Sequence, residues 1–297
     1  MKFELKNHIT KAVALALCSA FVTAAQAAPT TITNGLTSAT IDDAGYFYSG
    51  SATGLNFAGR EFVNIDTMAS NWSLNANGGS IAIADEVLGN NPLATVAFGP
   101  IAGSISVVTN LGGGGGGWAL TETISIPTSG AQVGHVAVTI NLTNNTGSDA
   151  TGVQWGVGID PDQGRTATPD LGNGTTNDIL GLGGAAAVRA TSLDGWAVTL
   201  ANTTSASAFS IAGYVDPLSC CSPVDPGVML AAAQAIGSYG FADSSINLAY
   251  DLGAIANGQS VSFGYEYILA VPEPETYAML LAGLGLIGFS ARRRISA

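Results

Sequence analysis

The stretch His135-Val136-Ala137-Val138-Thr139-Ile140-Asn141-Leu142-Thr143 sets the period on which the chain is built. Successive side chains of a strand point to opposite sides. Val136, Val138, Ile140 and Leu142 therefore share one face, and His135, Ala137, Thr139, Asn141 and Thr143 the other. One face is to be buried and the other wetted. Thr151 to Ile159 repeats the pattern with Val153, Trp155, Val157 and Ile159 inward. The segment Asn144 to Ala150 between them is rich in turn residues, which predicts that the two strands pair as a hairpin. Ser260 to Ala270 carries the same alternation through Val261, Phe263, Tyr265, Tyr267 and Leu269.

Outward from these, weaker runs occupy Ser80 to Ala84, Ser104 to Thr109, Trp118 to Ile126, Trp196 to Ala201, Phe209 to Tyr214 and Ile246 to Leu252. Only the alanine-rich Val228 to Ile236 reads as a short helix. One-sided alternation over many strands separated by Gly, Asn, Asp and Ser predicts an all-β fold, a large antiparallel β-sandwich of about a dozen or more strands. Its core is expected to draw on Val136, Val138, Ile140, Leu142, Val153, Val157, Val261 and Phe263. The run Gly112 to Gly117 serves either as a hairpin loop within one sandwich or as a linker between two smaller ones, and a single domain over residues 28–270 is preferred. It is no phosphate loop, because Trp118 stands where Lys and Ser/Thr would be needed.

The chain has 297 residues and a net charge of −12. Six of its nine basic residues, Lys2, Lys6, Lys11 and Arg292 to Arg294, sit at the two ends. Residues 28–270 therefore keep only Arg60, Arg165 and Arg189 against 18 acids, a net charge of −15 with no lysine. Such a surface repels phosphate backbones, which excludes nucleic acid as a partner. It suits divalent cations, neutral glycans or plain solubility outside the cell.

Both ends carry targeting signals. Met1 to Ala27 has a basic start, an apolar core from Ala12 to Ala25 and the small-residue site Ala25-Gln26-Ala27, the three zones of a secretory signal peptide with cleavage after Ala27. Leu17 before Cys18 is too large for a lipoprotein site. At the other end, Val271-Pro272-Glu273-Pro274 leads into the apolar run 277–291 and then Arg292-Arg293-Arg294. As a helix that run reaches roughly 22 Å, short of the roughly 30 Å hydrocarbon core, so it spans only with help from Tyr277 and the snorkelling arginines. The arginines predict a cytoplasmic C-terminus, with everything before the run outside. Gly283 to Gly288 fits the letters of a dinucleotide fingerprint. It lacks the preceding strand and the acidic residue about 20 positions on, and is read as ordinary membrane-helix composition.

The order and spacing of this tail resemble the PEP-CTERM proteins, substrates of the exosortase transpeptidases of Gram-negative, exopolysaccharide-producing bacteria. Pro272, Glu273 and Pro274 stand where that family has its tripeptide, residues 277–291 where it has its hydrophobic helix, and Arg292, Arg293 and Arg294 where it has its basic end. The resemblance implies export, transient anchoring in the inner membrane through 277–291, exosortase cleavage near Val271 to Pro274, and delivery to the cell surface or matrix. Exopolysaccharide follows as an associated partner.

The chemistry in residues 28–270 is sparse. His135 is the one histidine, on the polar face of its strand, where it reads as solvent-exposed. With no lysine and no nucleophile elbow, neither a Ser-His-Asp triad nor a histidine metal site assembles, so no catalytic residue is assigned and no enzyme is expected. The alternative is a glycan-active hydrolase or lyase, using two of the 18 acids and the tryptophans Trp72, Trp118, Trp155 and Trp196 as sugar platforms. Trp118, Trp155 and Trp196 lie among aliphatics and are assigned to the core instead. Asp160-Pro161-Asp162-Gln163-Gly164 follows the strand ending at Ile159 and places Asp160 and Asp162 where both could reach one calcium ion. Gly164 at the fifth position and the missing Glu at the twelfth depart from an EF-hand, and a structural turn is the favoured reading. Cys220 and Cys221 are adjacent, closer than a disulfide prefers, which leaves free thiols or bridges to another chain open. Asn141, Asp160 to Gln163, Thr176 to Asp178 and Asn257 to Val261 resemble a β-rich module of other bacterial surface proteins, which bears on location alone.

Overall fold

A computed structural model describes residues 29–42, 45–47, 54–63, 70–85, 94–101, 104–111, 117–127, 132–205, 209–221 and 224–272. The signal peptide with Ala25 and Ala27, Glu273 and Pro274, the run 277–291 and Arg292 to Arg294 lie outside them. Among the described residues no helix is long and apolar enough to cross a membrane.

The strands are β1 (Thr30–Thr33), β2 (Thr37–Ile41), β3 (Leu55–Phe57), β4 (Arg60–Glu61), β5 (Ser70–Ala76), β6 (Gly79–Asp85), β7 (Ala94–Ile101), β8 (Ser104–Leu111), β9 (Trp118–Ser125), β10 (His135–Asn144), β11 (Ala150–Ile159), β12 (Thr175–Gly181), β13 (Ala187–Thr191), β14 (Ala197–Asn202), β15 (Ser210–Val215), β16 (Gly237–Ala242), β17 (Ile246–Ile255) and β18 (Ser260–Ala270), with one short helix α1 (Pro226–Ala231). Among the described residues three antiparallel sheets form, of nine strands in the order β16-β12-β13-β14-β18-β10-β9-β8-β7, of five in the order β15-β17-β11-β5-β6, and of four in the order β1-β2-β3-β4. The glycine run joins β8 to its sheet neighbour β9.

The nine-stranded and five-stranded sheets lie face to face, as their aromatic contacts record. Phe263 of β18 meets Trp155 of β11 at 5.7 Å and Tyr250 of β17 at 5.0 Å between ring centroids. Trp155 in turn stacks on Trp72 of β5 at 4.8 Å, within the five-stranded sheet. Val136, Val138, Ile140 and Leu142 of β10 and Val153, Val157 and Ile159 of β11 are all buried in one continuous core, with Val261 packed half-buried at its margin. The small sheet joins the same core through Ile32, Ala39, Ile41, Leu55 and Phe57. Period-two alternation thus became burial wherever one strand face met the core.

The hairpin expected of 135–143 and 151–159 does not form. Instead β10 pairs with β9 and β18 in the large sheet, and β11 pairs with β5 and β17 in the other. Asn144 turns the chain across the sandwich: fully buried, it donates through Nδ2 to Ser148 O at 2.9 Å and Ile255 O at 2.8 Å. Its Oδ1 accepts from Thr146 N at 3.0 Å and Thr146 Oγ1 at 2.7 Å. The two apolar faces then bury one another across the sandwich rather than lying side by side. Asn144→Ala removes these bonds and leaves the buried Ile255 O without its donor, which is expected to cost about 2–3 kcal/mol, read as a lowered urea midpoint at unchanged slope.

The helix expected over Val228 to Ile236 is shorter and begins earlier. Asp225 caps it by accepting from Gly227 N at 2.7 Å and Val228 N at 3.2 Å, with Pro226 in the first turn. Gln234, expected inside it, instead spends its side chain on Val215 N and O at 2.8 and 2.9 Å.

Candidate functional site

The site begins where β11 ends. Val153, Trp155, Val157 and Ile159 point into the sandwich, so Gly156, Gly158 and Asp160 fall on the outer face of the five-stranded sheet. Helix α1 packs on that face, with Met229 among Tyr214 and Ala249 and against Gly156. Strand β17 starts beside the end of β11, Ile246 opposite Ile159, so the residues just before β17 are delivered to Asp160.

Two groups of side chains meet there. Carboxylate oxygens of Asp160, Asp162 and Asp243 all lie within 4.8 Å of one another, and Asp160 is equally close to the sulfurs of Cys220 and Cys221. Asp160 and Asp162 are buried, whereas Asp243 is exposed. The loop is held from several sides: Asp162 N donates to Phe62 O, Arg165 N to Asp162 O, and Thr166 Oγ1 to Glu61 O. Gln163, fully buried, donates through Nε2 to Ala190 O at 3.1 Å and Trp196 O at 3.2 Å. Asp160 to Asp162 is irregular and the turn follows it, closed by Arg165 N to Asp162 O, with the carboxylates of Asp160 and Asp162 near that of Asp243.

Cys220 and Cys221 are bonded to each other, the pairing that the spacing disfavoured. Their turn is pinned by Cys221 N to Ser219 Oγ and Ser245 N to Ser219 O, which brings both sulfurs against the start of β17. Cys221 Sγ lies 3.2 Å from Asp160 Oδ2. A disulfide sulfur carries no hydrogen, so a hydrogen bond there needs the acid form of Asp160 as donor. Burial first, then the charges of Asp162 and Asp243, push Asp160 up to about 9, which favours that form.

The arginines are committed to other partners. Arg60 donates to Gln163 O and Asp194 Oδ2, both at 2.7 Å, with its guanidinium 4.8 Å over the Trp196 ring. Arg189 pairs with Asp178 at 2.9 Å, and Arg165 donates to Asn173 Oδ1 at 3.3 Å. His135, expected in solvent, is four-fifths buried, with Nδ1 2.8 Å from Glu266 Oε2. The register that sets β10 against β18 supplies that partner.

A second buried carboxylate lies between the sheets. Glu122 occupies an inward position of β9 between Leu120 and Ile124, accepts from Tyr265 Oη at 3.4 Å, and leaves Oε2 without a hydrogen bond among the described residues. Burial, and secondarily Asp42, push it up to about 8. The cavity beside it, lined by Ser70, Trp72, Tyr265 and Tyr267, holds about one water, far below the volume of a sugar ring. Trp72, Trp118 and Trp155 are buried, which removes three of the four candidate sugar platforms.

The described body is an acidic, nearly all-β sandwich whose last strand runs directly into the tail. Residues 270–294 match the family profile described as the PEP-CTERM protein-sorting motif, so the chain carries that motif in its C-terminal tail. The match takes in Val271 to Pro274 and Arg292 to Arg294. No curated protein matches the chain. Among solved structures, it is similar to a candidate aldose 1-epimerase of Escherichia coli K12 at 12% identity and a TM-score of 0.42, covering 82% of this chain and 98% of that one. Heparan sulfate lyase HepC of Pedobacter heparinus gives 11% identity, a TM-score of 0.39 and 80% and 34% coverage, and a bacterial glucoamylase complexed with acarbose gives 12%, 0.39, and 73% and 28%. This chain therefore spans about a third of those two proteins, and at such scores the likeness carries no argument about activity.

Proposed function

We propose that the β body is a non-enzymatic cargo of the sorting tail, a surface or matrix protein with a structural, adhesive or polysaccharide-associated role. The observation that supports this reading is the direct fusion of the sorting motif to the sheet: the match begins at Ala270, the last residue of β18. The interior supports it too, since Glu122 is sealed beside a water-sized cavity and the large aromatics are spent on packing. A body that reaches the surface with its aromatic residues inside and 18 acids distributed along it contributes bulk, solubility and cation-dependent contacts rather than turnover.

The test uses mature protein recovered from the surface of its producing cells. Co-sedimentation with the polysaccharide of those cells is expected, together with no release of reducing ends or of unsaturated uronate absorbance over an overnight incubation. Depolymerisation that survives repurification and is lost in Glu122→Gln or Asp160→Asn would replace this reading with the enzymatic one.

A further inference from the structure

The geometry points to a calcium site built by Asp160 and Asp162 from the loop after β11 and by Asp243 from the turn before β17. Oxygens bound at about 2.4 Å around one calcium ion can be no more than about 4.8 Å apart, twice the bond length. The three carboxylates meet that limit mutually. The turn alone could not reveal this, because Asp243 is 81 residues beyond Asp162 and arrives only through the pairing of β17 with β11.

Two buried oxygens without donors, one on Asp160 itself and one on Asn247 outside the carboxylate cluster, speak for a bound cation. Asp160 is 3% exposed and its Oδ1 has no hydrogen bond among the described residues. Asn247 is fully buried on the same outer face, spends Nδ2 on Ser245 Oγ at 3.0 Å, and likewise leaves Oδ1 without a donor. That Oδ1 lies over Gly158, whose missing side chain leaves room for it; the Asn71 Oδ1 converges on the same point, 3.2 Å from where a Cβ would stand. Gly158 is two residues before Asp160 on one strand, so this pair of amide oxygens sits one side-chain row, about 7 Å, from the carboxylates. Buried oxygens without donors, as on Asp160 and Asn247, are what a hard cation and its coordinated waters satisfy. Only Asp243 is exposed, which leaves an entry side for the ion.

The site is independent of any polysaccharide role. Mature protein recovered from the cell surface and stripped with EDTA is titrated with calcium chloride by calorimetry and then melted with and without the ion. One ion per chain is expected, in the roughly 10⁻⁴–10⁻³ M range of extracellular modules. The melting temperature should rise by about 3–6 °C at tenfold excess over Kd. Asp243→Asn, chosen because the residue is exposed and its loss threatens no packing, should reduce that rise to under about 1 °C. Asp149→Asn, an equal change of charge elsewhere on the surface, should leave the rise intact. Absence of binding at 10 mM calcium, a full rise retained in Asp243→Asn, or an equal loss in Asp149→Asn each overturns the assignment; the last would show that calcium merely screens the net charge.

Discussion

A chain carrying alanine at Pro272, Glu273 and Pro274 is expected to accumulate as uncleaved, membrane-retained precursor, with essentially none released. Pro272 and Pro274 lack an N–H and bias the residue before each away from helix, so Val271 to Pro274 stays extended beyond the last strand. The structure adds the near boundary: β18 ends at Ala270, Val271 is exposed, and Pro272 lies against Gly195 of the body. Only residues 271–276 separate the last strand from the predicted hydrophobic run, which is where cleavage is expected. Three alanines are strong helix formers and would let the helix predicted for 277–291 extend back toward the sheet through that segment. Deleting residues 277–297 should separate the two functions, abolishing retention and releasing soluble protein. Membrane fractionation and mass spectrometry of surface-released protein read both results. Peptides from Leu280 to Arg292 still attached to released protein would refute the processing role.

Glu122→Gln is expected to raise the melting temperature by on the order of 10 °C at pH 8 or above and to change it little near pH 4.5. The carboxyl is pushed from 4.5 to about 8, with burial as the main cause and Asp42 adding to it. The facing phenols of Tyr265 and Tyr267 are pushed upward and stay neutral, so no positive charge compensates a Glu122 carboxylate. Between those two values the folded state holds a proton that the unfolded state has released, so stability falls as pH rises through the window. A 3.5-unit displacement corresponds to at most about 5 kcal/mol, at 1.36 kcal/mol per unit. Glutamine keeps an acceptor for Tyr265 and never ionises, so the advantage of the variant should grow from about pH 4.5 and level off above about pH 8. Calorimetric melts across pH 4.5–9 check this, and parallel profiles for the two proteins would show that Glu122 is not the titrating group. A larger residue at Gly45 offers no such relief, because any Cβ there collides with Glu122 Oε2.

What the sequence made legible is which face each strand buries. Val136 to Leu142 and Phe263 to Leu269 alternate against water, and an alternating pattern has one solution for its buried side. It does not name the neighbour. The strand at Thr151 to Ile159 therefore had its face read correctly and its partner wrongly, since Asn144 acts through hydrogen bonds to Ser148 and Ile255, more than a hundred residues apart. Strands β12, β13 and β16 were missed for a related reason. Thr175 to Gly181 and Ala187 to Thr191 mix small and polar residues, and Gly237 to Ala242 is an edge strand exposed along its whole length, so little hydrophobic contrast marks them. In the acidic site, Asp160 and Asp162 were visible as a local pair, but Asp243 had no local sign at all. The bond between Cys220 and Cys221 ran against a distance argument that holds for most pairs and fails for neighbours confined to one turn.

The strand that runs into the tail is the middle one of nine, with β14 on one side and β10 on the other. Its register ties it to β10 from His135–Ile268 to Thr143–Ser260 and to β14 from Ala197–Ala270 to Asn202–Tyr265. Tension applied at Ala270 runs along the strand axis, perpendicular to both hydrogen-bond ladders. Those ladders are then loaded in shear, and many bonds must fail together before the strand slides. An edge strand pulled outward would instead unzip one bond at a time. The point of attachment is thereby a force-resistant place in the sheet, and a tethered copy should yield at its linker before its fold gives way.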